Sequence, residues 1–302
     1  MPVVVGRSAG LSDTGRKRRQ NEDAYVCEPP LFAIADGMGG AQAGEVASGL
    51  AAAAFEEGAA AIHGEDGVAT LVRAANARIF ERAVHDPTVA GMGTTATVAV
   101  VDESAGTVTL AHVGDSRAYR YRGGALEQLT TDHSLVGELV RSGRLTEDEA
   151  AVHPHRSVIT RALGTDADVE VDTLTVEVVP GDLVLLCSDG LSANVRDDEI
   201  ARVREATGAA PREAGEALIA AANAAGGEDN VTVVLFELLS EALPEPESTE
   251  VLDATSQAEP DDVTVEDVRK HGAGRGSRWP ALLLLLVILA VAAFVLWWSL
   301  VR

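Results

Sequence analysis

Basic residues are scarce in this chain: 24 Lys and Arg stand against 47 Asp and Glu, giving a formal net charge of −23. That imbalance argues against broad nucleic-acid binding, which needs a basic face to displace the counterions of the phosphate backbone. It is compatible with divalent cations, and a solvated acidic surface accounts for much of it. Cysteine is nearly absent. Cys27 and Cys187 share no metal-type spacing, and two cysteines do not make a disulfide framework. Cys187 closes the apolar run 183–187 and reads as a small core residue. Aromatic residues are only 4% of a chain that is 46% hydrophobic, so Ala and Val dominate, and both helices and buried strands are expected. The N-terminal region has no long apolar stretch, so no signal peptide is expected, and no internal repeat is found.

What the chain does have is a short organising run, Leu31-Phe32-Ala33-Ile34-Ala35-Asp36-Gly37-Met38-Gly39-Gly40. Residues 31–35 read as a buried strand that ends on a carboxylate and a glycine-rich turn. Before it, residues 3–5 can start an edge strand, 7–20 are polar with a basic cluster at Arg16-Lys17-Arg18-Arg19, and 24–27 suit a strand that Pro29-Pro30 breaks. After it, residues 41–62 and 67–85 read as helices, the second through Val68, Leu71, Val72, Ala75, Ile79 and Val84 and stopped by Asp86-Pro87. Strands are expected over 94–101, 107–113 and 117–122, joined by short connections that imply antiparallel neighbours. Residues 133–151 look helical in two pieces, with a capping box at Thr146-Glu147-Asp148-Glu149. Strands resume at 174–179 and 183–187 around Pro180-Gly181, helices at 197–205 and 211–225, and a last strand at 231–238. Hairpins rather than helical crossovers join most strands, which favours antiparallel sheets sandwiched between helices.

The globular domain is expected over 1–239. Residues 240–279 form an acidic linker with a basic end: 240–268 hold ten acids and no Lys or Arg, and Arg269, Lys270, Arg275 and Arg278 follow. Residues 280–301 are expected to be a transmembrane helix. Positions 281–301 carry no charge, and Trp279, Trp297 and Trp298 sit at the two ends, where indoles prefer the interface. Four cations precede the span and Arg302 alone follows it, so the positive-inside rule places the domain in the cytoplasm of a single-pass cell-membrane protein.

Asp36 is one of four aspartates at strand ends or turns. The others are Asp115 in Val-Gly-Asp-Ser, Asp189 in Cys-Ser-Asp-Gly and Asp229 in Glu-Asp-Asn. Carboxylates converging on one cleft need cations, and oxygen donors suit Mg²⁺ or Mn²⁺ rather than a thiolate and imidazole zinc site. Two such ions about 3.5–4 Å apart can lower the pKa of a shared water and present hydroxide to phosphorus. Arg18 complements them, because a guanidinium fork holds two phosphate oxygens.

Six motifs occur in order: Arg18-x-x-Asn21-Glu22-Asp23, Asp36-Gly37-Met38-Gly39-Gly40, Gly91-Met92-Gly93-Thr94-Thr95, Val113-Gly114-Asp115-Ser116-Arg117, Cys187-Ser188-Asp189-Gly190-Leu191 and Asp229-Asn230-Val231-Thr232. Over about residues 6–238 the chain resembles the metal-dependent serine/threonine protein phosphatases of the 2C type, in particular bacterial members that oppose membrane-bound serine/threonine kinases. The resemblance implies an α+β fold, a four-layer α-β-β-α sandwich with two central antiparallel sheets, the metals lying at one end. It implies phosphorylated proteins as partners, serine/threonine kinases among them, and Mn²⁺ or Mg²⁺ as cofactor: two catalytic ions, with a third in bacterial relatives. Asp36 would bridge the two ions, the Gly37 carbonyl would bind the second, and Asp189 and Asp229 would hold the first. Asp115 and Ser157, with Asp189, match the third site. Arg18 would clamp the substrate phosphate, and Glu22 and Asp23, with Asn230 beside them, would orient the waters on the metals. Metal-activated hydroxide would attack phosphorus in line, with no phosphoenzyme. The sequence departs from the family at Met38, where many eukaryotic members have a His that can protonate the leaving group. A thioether cannot do so. His153 is the candidate for that role here, with a turn function as the alternative, and residues 134–156 correspond to a mobile flap in the bacterial relatives. Two other functions fit less of the sequence. One is a non-catalytic docking module, which the intact aspartates disfavour. The other is a same-fold phosphatase for regulators of sigma factors, which usually sits beside sensory domains.

Overall fold

The structure, a computed structural model, describes residues 2–39, 43–59, 62–208 and 210–240. The chain divides into Met1–Glu245 and Pro246–Arg302. The expected linker and membrane helix lie outside the described residues, apart from Ser240. Among the described residues no helix is long and apolar enough to cross a membrane.

Two antiparallel sheets form the centre. The first runs in the order β1 (Val3–Asp13), β11 (Val231–Ser240), β10 (Leu183–Cys187), β7 (Arg117–Arg122), β8 (Ala125–Gln128). The second runs β2 (Asp23–Glu28), β3 (Leu31–Met38), β5 (Ala96–Asp102), β6 (Thr107–Val113), β9 (Asp172–Glu177), with the short β4 (Gly93–Thr94) paired to the end of β3. Strand β3 is buried on both faces and therefore reads as a continuous apolar run. Phe32 and Ile34 point between the sheets, where Phe32 stacks on Phe236 of β11 with ring centroids 3.9 Å apart. Leu31, Ala33 and Ala35 face the other way, toward α1 (Ala43–Gly58) and α2 (Gly64–His85).

Helix α1 presents Ala43, Ala47, Ala51 and Phe55 at four-residue spacing. Alanine has little side-chain height, so the helix lies close on the sheet. Helix α2 buries Val68, Leu71, Val72, Ala75 and Ile79 as its periodicity requires, whereas Val84 is left exposed. On the opposite side α5 (Asp189–Ser192), α6 (Asp197–Ala206) and α7 (Pro211–Ala224) cover the first sheet through Leu191, Ile200, Ala214 and Leu218. The result is four layers, helix, sheet, sheet, helix, with one apolar cluster at each of the three interfaces.

Helices α3 (Leu135–Arg141) and α4 (Glu147–Ala151) are the two pieces expected over 133–151, and the Thr146/Glu149 capping box forms. Several elements exceed the sequence reading, α5 and the separate β4 among them. β1 continues through the polar stretch to Asp13 because β11 supplies its ladder along that length. β8 is short and polar, and it pairs with β7 across the turn at Gly123-Gly124.

Candidate active site

Because both sheets are antiparallel, the C-terminal ends of β3, β6 and β10 and the N-terminal ends of β2 and β11 share one end of the sandwich. Asp36 ends the apolar part of β3 and pairs directly with Asp23 of β2. Asp115 follows β6, Asp189 follows β10 at the start of α5, and Asp229 precedes β11. Five carboxylates thus meet where the layers open.

Backbone contacts hold them there. The Asp36 N–H donates to Thr95 Oγ1 (3.0 Å), and the Asp36 carbonyl accepts from Thr94 Oγ1 (2.8 Å) and the Thr95 N–H (2.9 Å). Glu22 works through its main chain: its N–H donates to Asn230 Oδ1 (2.8 Å), and its carbonyl accepts from the Gly37 N–H (3.1 Å) and Ser48 Oγ (2.6 Å). Asn230 also donates from Nδ2 to the carbonyls of Thr14 and Gln20 (2.9 and 3.0 Å), closing the loop that displays Arg18. Arg18 donates from Nη2 to Asp229 Oδ2 at 2.7 Å and lies 3.8 Å from Glu22. Asp23 Oδ2 accepts from Thr232 Oγ1 (2.6 Å), and its Oδ1 is buried without a hydrogen-bond partner.

Two glycines permit this closeness. A Cβ on Gly37 would stand 2.2 Å from the Gly44 carbonyl oxygen, where α1 begins. A Cβ on Gly190 would stand 1.9 Å from the Asn230 carbonyl oxygen, between the Asp189 and Asp229 segments.

The electrostatics show the strain of the cluster. Burial, then Asp23, Asp189, Asp115 and Asp229, push the Asp36 carboxyl well above the usual carboxylate range. Burial and Asp189 raise Asp115 to about 8; burial and Asp229 raise Asp189 to about 6; burial, with Asp189 and Asp229, raises Asp23 to about 7. Burial likewise raises Glu22 against the pull of Arg18. The neighbouring cations relieve the centre only in part: Arg117, paired bidentately with Asp132 (2.7 Å), draws Asp115 and Asp189 down, and Arg18, bonded to Asp229, draws Asp189 down, but burial and the like charges outweigh them.

This donor set fits divalent hard cations. Among the described residues no group of three or more His, Cys, Asp and Glu side chains is gathered closely enough to hold a metal ion by itself, so waters and backbone oxygens would have to complete any such site. Mg²⁺-type ions take one or two carboxylates and keep several waters, whereas a structural zinc site is closed by protein ligands.

Residues 16–226 match the family described as Protein phosphatase 2C. The chain belongs to the protein phosphatase 2C family. It is 40% identical over 238 residues to the serine/threonine phosphatase stp of Listeria monocytogenes, covering 75% of this chain and 93% of that one. The crystal structure of the Mycobacterium tuberculosis serine/threonine phosphatase PstP/Ppp superposes with a TM-score of 0.74 at 41% identity, covering 78% of this chain and 100% of the other. A second PstP catalytic domain, solved with 2 manganese ions, gives 0.72 at 39% identity over 78% of this chain and 99% of that one.

For a protein phosphatase 2C chain, the sequence reading found most of the cluster. Asp36, Asp189, Asp229, Asp115 and Asp23 converge, with Arg18, Glu22, Gly37 and Asn230 around them. Ser157 is exposed and makes no hydrogen bond among the described residues. His153 is held in its own turn: its Nδ1 accepts the His155 N–H (3.1 Å), and its carbonyl accepts the Arg156 N–H (3.1 Å). Met38 lies over Gly93. Thr94 and Thr95, the last residues of the Gly91–Thr95 motif, act on Asp36 through their hydroxyls.

Proposed function

We propose that the protein removes phosphate from phosphoserine and phosphothreonine in proteins, with two ions of the Mg²⁺/Mn²⁺ class, at the cytoplasmic face of a membrane to which residues 280–301 tether it. Family membership supports the reaction. The observation that favours this site is the meeting of five aspartates, four with raised pKa, beside one arginine that faces them.

Asp36, Asp189, Asp229 and the Gly37 carbonyl would hold the two ions, and Asp115 and Ser157, with Asp189, would hold a third. When bound, the ions supply a water of lowered pKa as nucleophile and neutralise phosphate charge. Arg18 stands at the mouth, where its fork can turn from Asp229 to two phosphate oxygens. Asn230 keeps that loop closed, and Glu22 fixes the start of β2 against Gly37. The P–O bond to the Ser or Thr oxygen breaks, and that oxygen leaves with a proton taken from solvent, since Met38 has none to give.

The acidic linker, the chargeless stretch 281–301 and the cations before it support the tether. Serine/threonine kinases at the same membrane are the proposed phosphoprotein partners. Phosphate release by the full chain from a phosphothreonine peptide tests the activity: it is expected to need Mn²⁺ or Mg²⁺ and to vanish in Asp229→Asn. Turnover in excess chelator contradicts it. Recovery of the chain without residues 280–301 in the membrane fraction contradicts the tether.

A further inference from the structure

One residue outside the six motifs grips the Asp115 loop and the Ser157 segment at once. The Gly114 N–H donates to His133 Nδ1 (3.0 Å), and the His133 N–H donates to the Gly114 carbonyl (2.7 Å). His133 thus holds both peptide groups of the glycine that precedes Asp115, whose φ of 113° lies in the left-handed region. On its other side the His133 carbonyl accepts the Thr160 N–H (2.8 Å), the Leu135 N–H donates to the Val158 carbonyl (2.8 Å), and Ser134 bridges to Ile159. Ser157 immediately precedes this strip.

The ring is itself fixed. Nδ1 accepts a hydrogen bond, which leaves the ring proton on Nε2; Nε2 lies 3.1 Å from Asp172 Oδ2, the acceptor for that proton, and also 3.1 Å from Arg161 Nη1, which serves Asp172 instead. Asp172 belongs to β9, opposite His112 of β6, and its Oδ1 accepts from Arg161 Nη1 (2.6 Å), a residue of the Ser157 side. The buried His112 ring lies against His133 with centroids 4.9 Å apart and bonds through Nδ1 to Thr97 Oγ1 (3.0 Å). The arrangement Arg161–Asp172–His133–Gly114 resembles the carboxylate–histidine pairs that orient metal ligands, except that here the imidazole grips the backbone beside the ligand.

We propose that His133, oriented by Asp172 and Arg161, is a positioning residue that holds the Asp115 loop and the Ser157 segment in register, so that the Asp115–Asp189–Ser157 cation site forms. The inference rests on the proposed ligand roles of Asp115 and Ser157. His133 touches neither substrate nor ions. It sets how Asp115 is presented and leaves Asp36 and Asp229, which are held by Thr94, Thr95 and Asn230, in place.

Mn²⁺ titration of the full chain by calorimetry tests this, with the thermal midpoint recorded for each variant. The wild type is expected to bind three ions. His133→Ala is expected to keep the two tight ones unchanged and weaken the third roughly 10- to 100-fold. His133→Asn, whose Oδ1 can accept the Gly114 N–H, is expected to restore part of that affinity, and Asp172→Ala to weaken only the third ion. Three ions of unchanged affinity in both His133→Ala and Asp172→Ala overturn the inference, as does loss of all three together with a collapsed midpoint in both. Only two ions in the wild type overturn the ligand roles of Asp115 and Ser157, and the inference with them.

Discussion

The Arg18 guanidinium donates to the Asp229 carboxylate across 2.7 Å, tying the loop before β2 to the loop before β11. Both loops are set by one side chain, Asn230, which bonds to Glu22, Thr14 and Gln20. Arg18 is therefore held at the cleft, pointing at its carboxylates, with about half its side chain open to solvent.

Arg18→Ala is expected to lower kcat/KM for a phosphothreonine peptide roughly 10- to 100-fold, the effect of losing charge-assisted hydrogen bonds of about 1.5–3 kcal/mol. Arg18→Lys is expected to recover only part of this, because an ammonium keeps the charge and loses the fork. Steady-state kinetics on the three proteins check it.

Gly190→Ala is expected to impair the site without touching a carboxylate. The added methyl meets the Asn230 carbonyl oxygen at 1.9 Å, so the Asp189 and Asp229 segments must separate. A loss of about 1–3 kcal/mol in stability is expected, with weaker Mn²⁺ binding. Denaturant unfolding and a Mn²⁺ titration measure the two effects.

The metal-free protein is expected to lose stability as pH rises from about 4 to about 8. Unfolded aspartates titrate near 4, whereas Asp189, Asp23 and Asp115 stand at about 6, 7 and 8 in the fold. Across that window these groups bind more protons in the folded state than in the unfolded one, so the stability they contribute is full below the unfolded value and falls with rising pH. Added Mn²⁺ should therefore raise the thermal midpoint more at pH 8 than at pH 5, which thermal melts with and without chelator can check.

Phe32→Ala should cost about 3–5 kcal/mol, because it empties the stacked Phe32–Phe236 contact between the sheets. Chemical denaturation at fixed metal concentration reads the loss.

These residues differ in how far the sequence revealed them. Strands β6 and β10 were legible because their apolar and β-branched runs are bounded by turns, and β7 because turns at Gly114-Asp115-Ser116 and Gly123-Gly124 bracket it. The extension of β1 to Asp13 was not, since its residues are mostly polar or glycine, Ala9 and Leu11 apart, and are held by pairing with β11, a partner more than two hundred positions away. Within the site, the aspartates announced themselves by their strand-end settings. Thr94 and Thr95 did not, because their hydroxyls acquire a role only once β4 lies beside Asp36. His133 was hidden for the same reason: nothing local links it to Gly114, nineteen residues earlier.

The central claim is that Asp36 and its neighbours form a divalent-metal centre for phosphate ester hydrolysis. Its most direct test is phosphate release from a phosphothreonine peptide by the full chain and by Asp36→Asn, side by side across a Mn²⁺ titration, with both proteins checked for an unchanged fold. Saturable, Mn²⁺-dependent release by the wild type and none by the variant is the expected result. Release at the wild-type rate by Asp36→Asn, or by the wild type in excess chelator, would contradict the account.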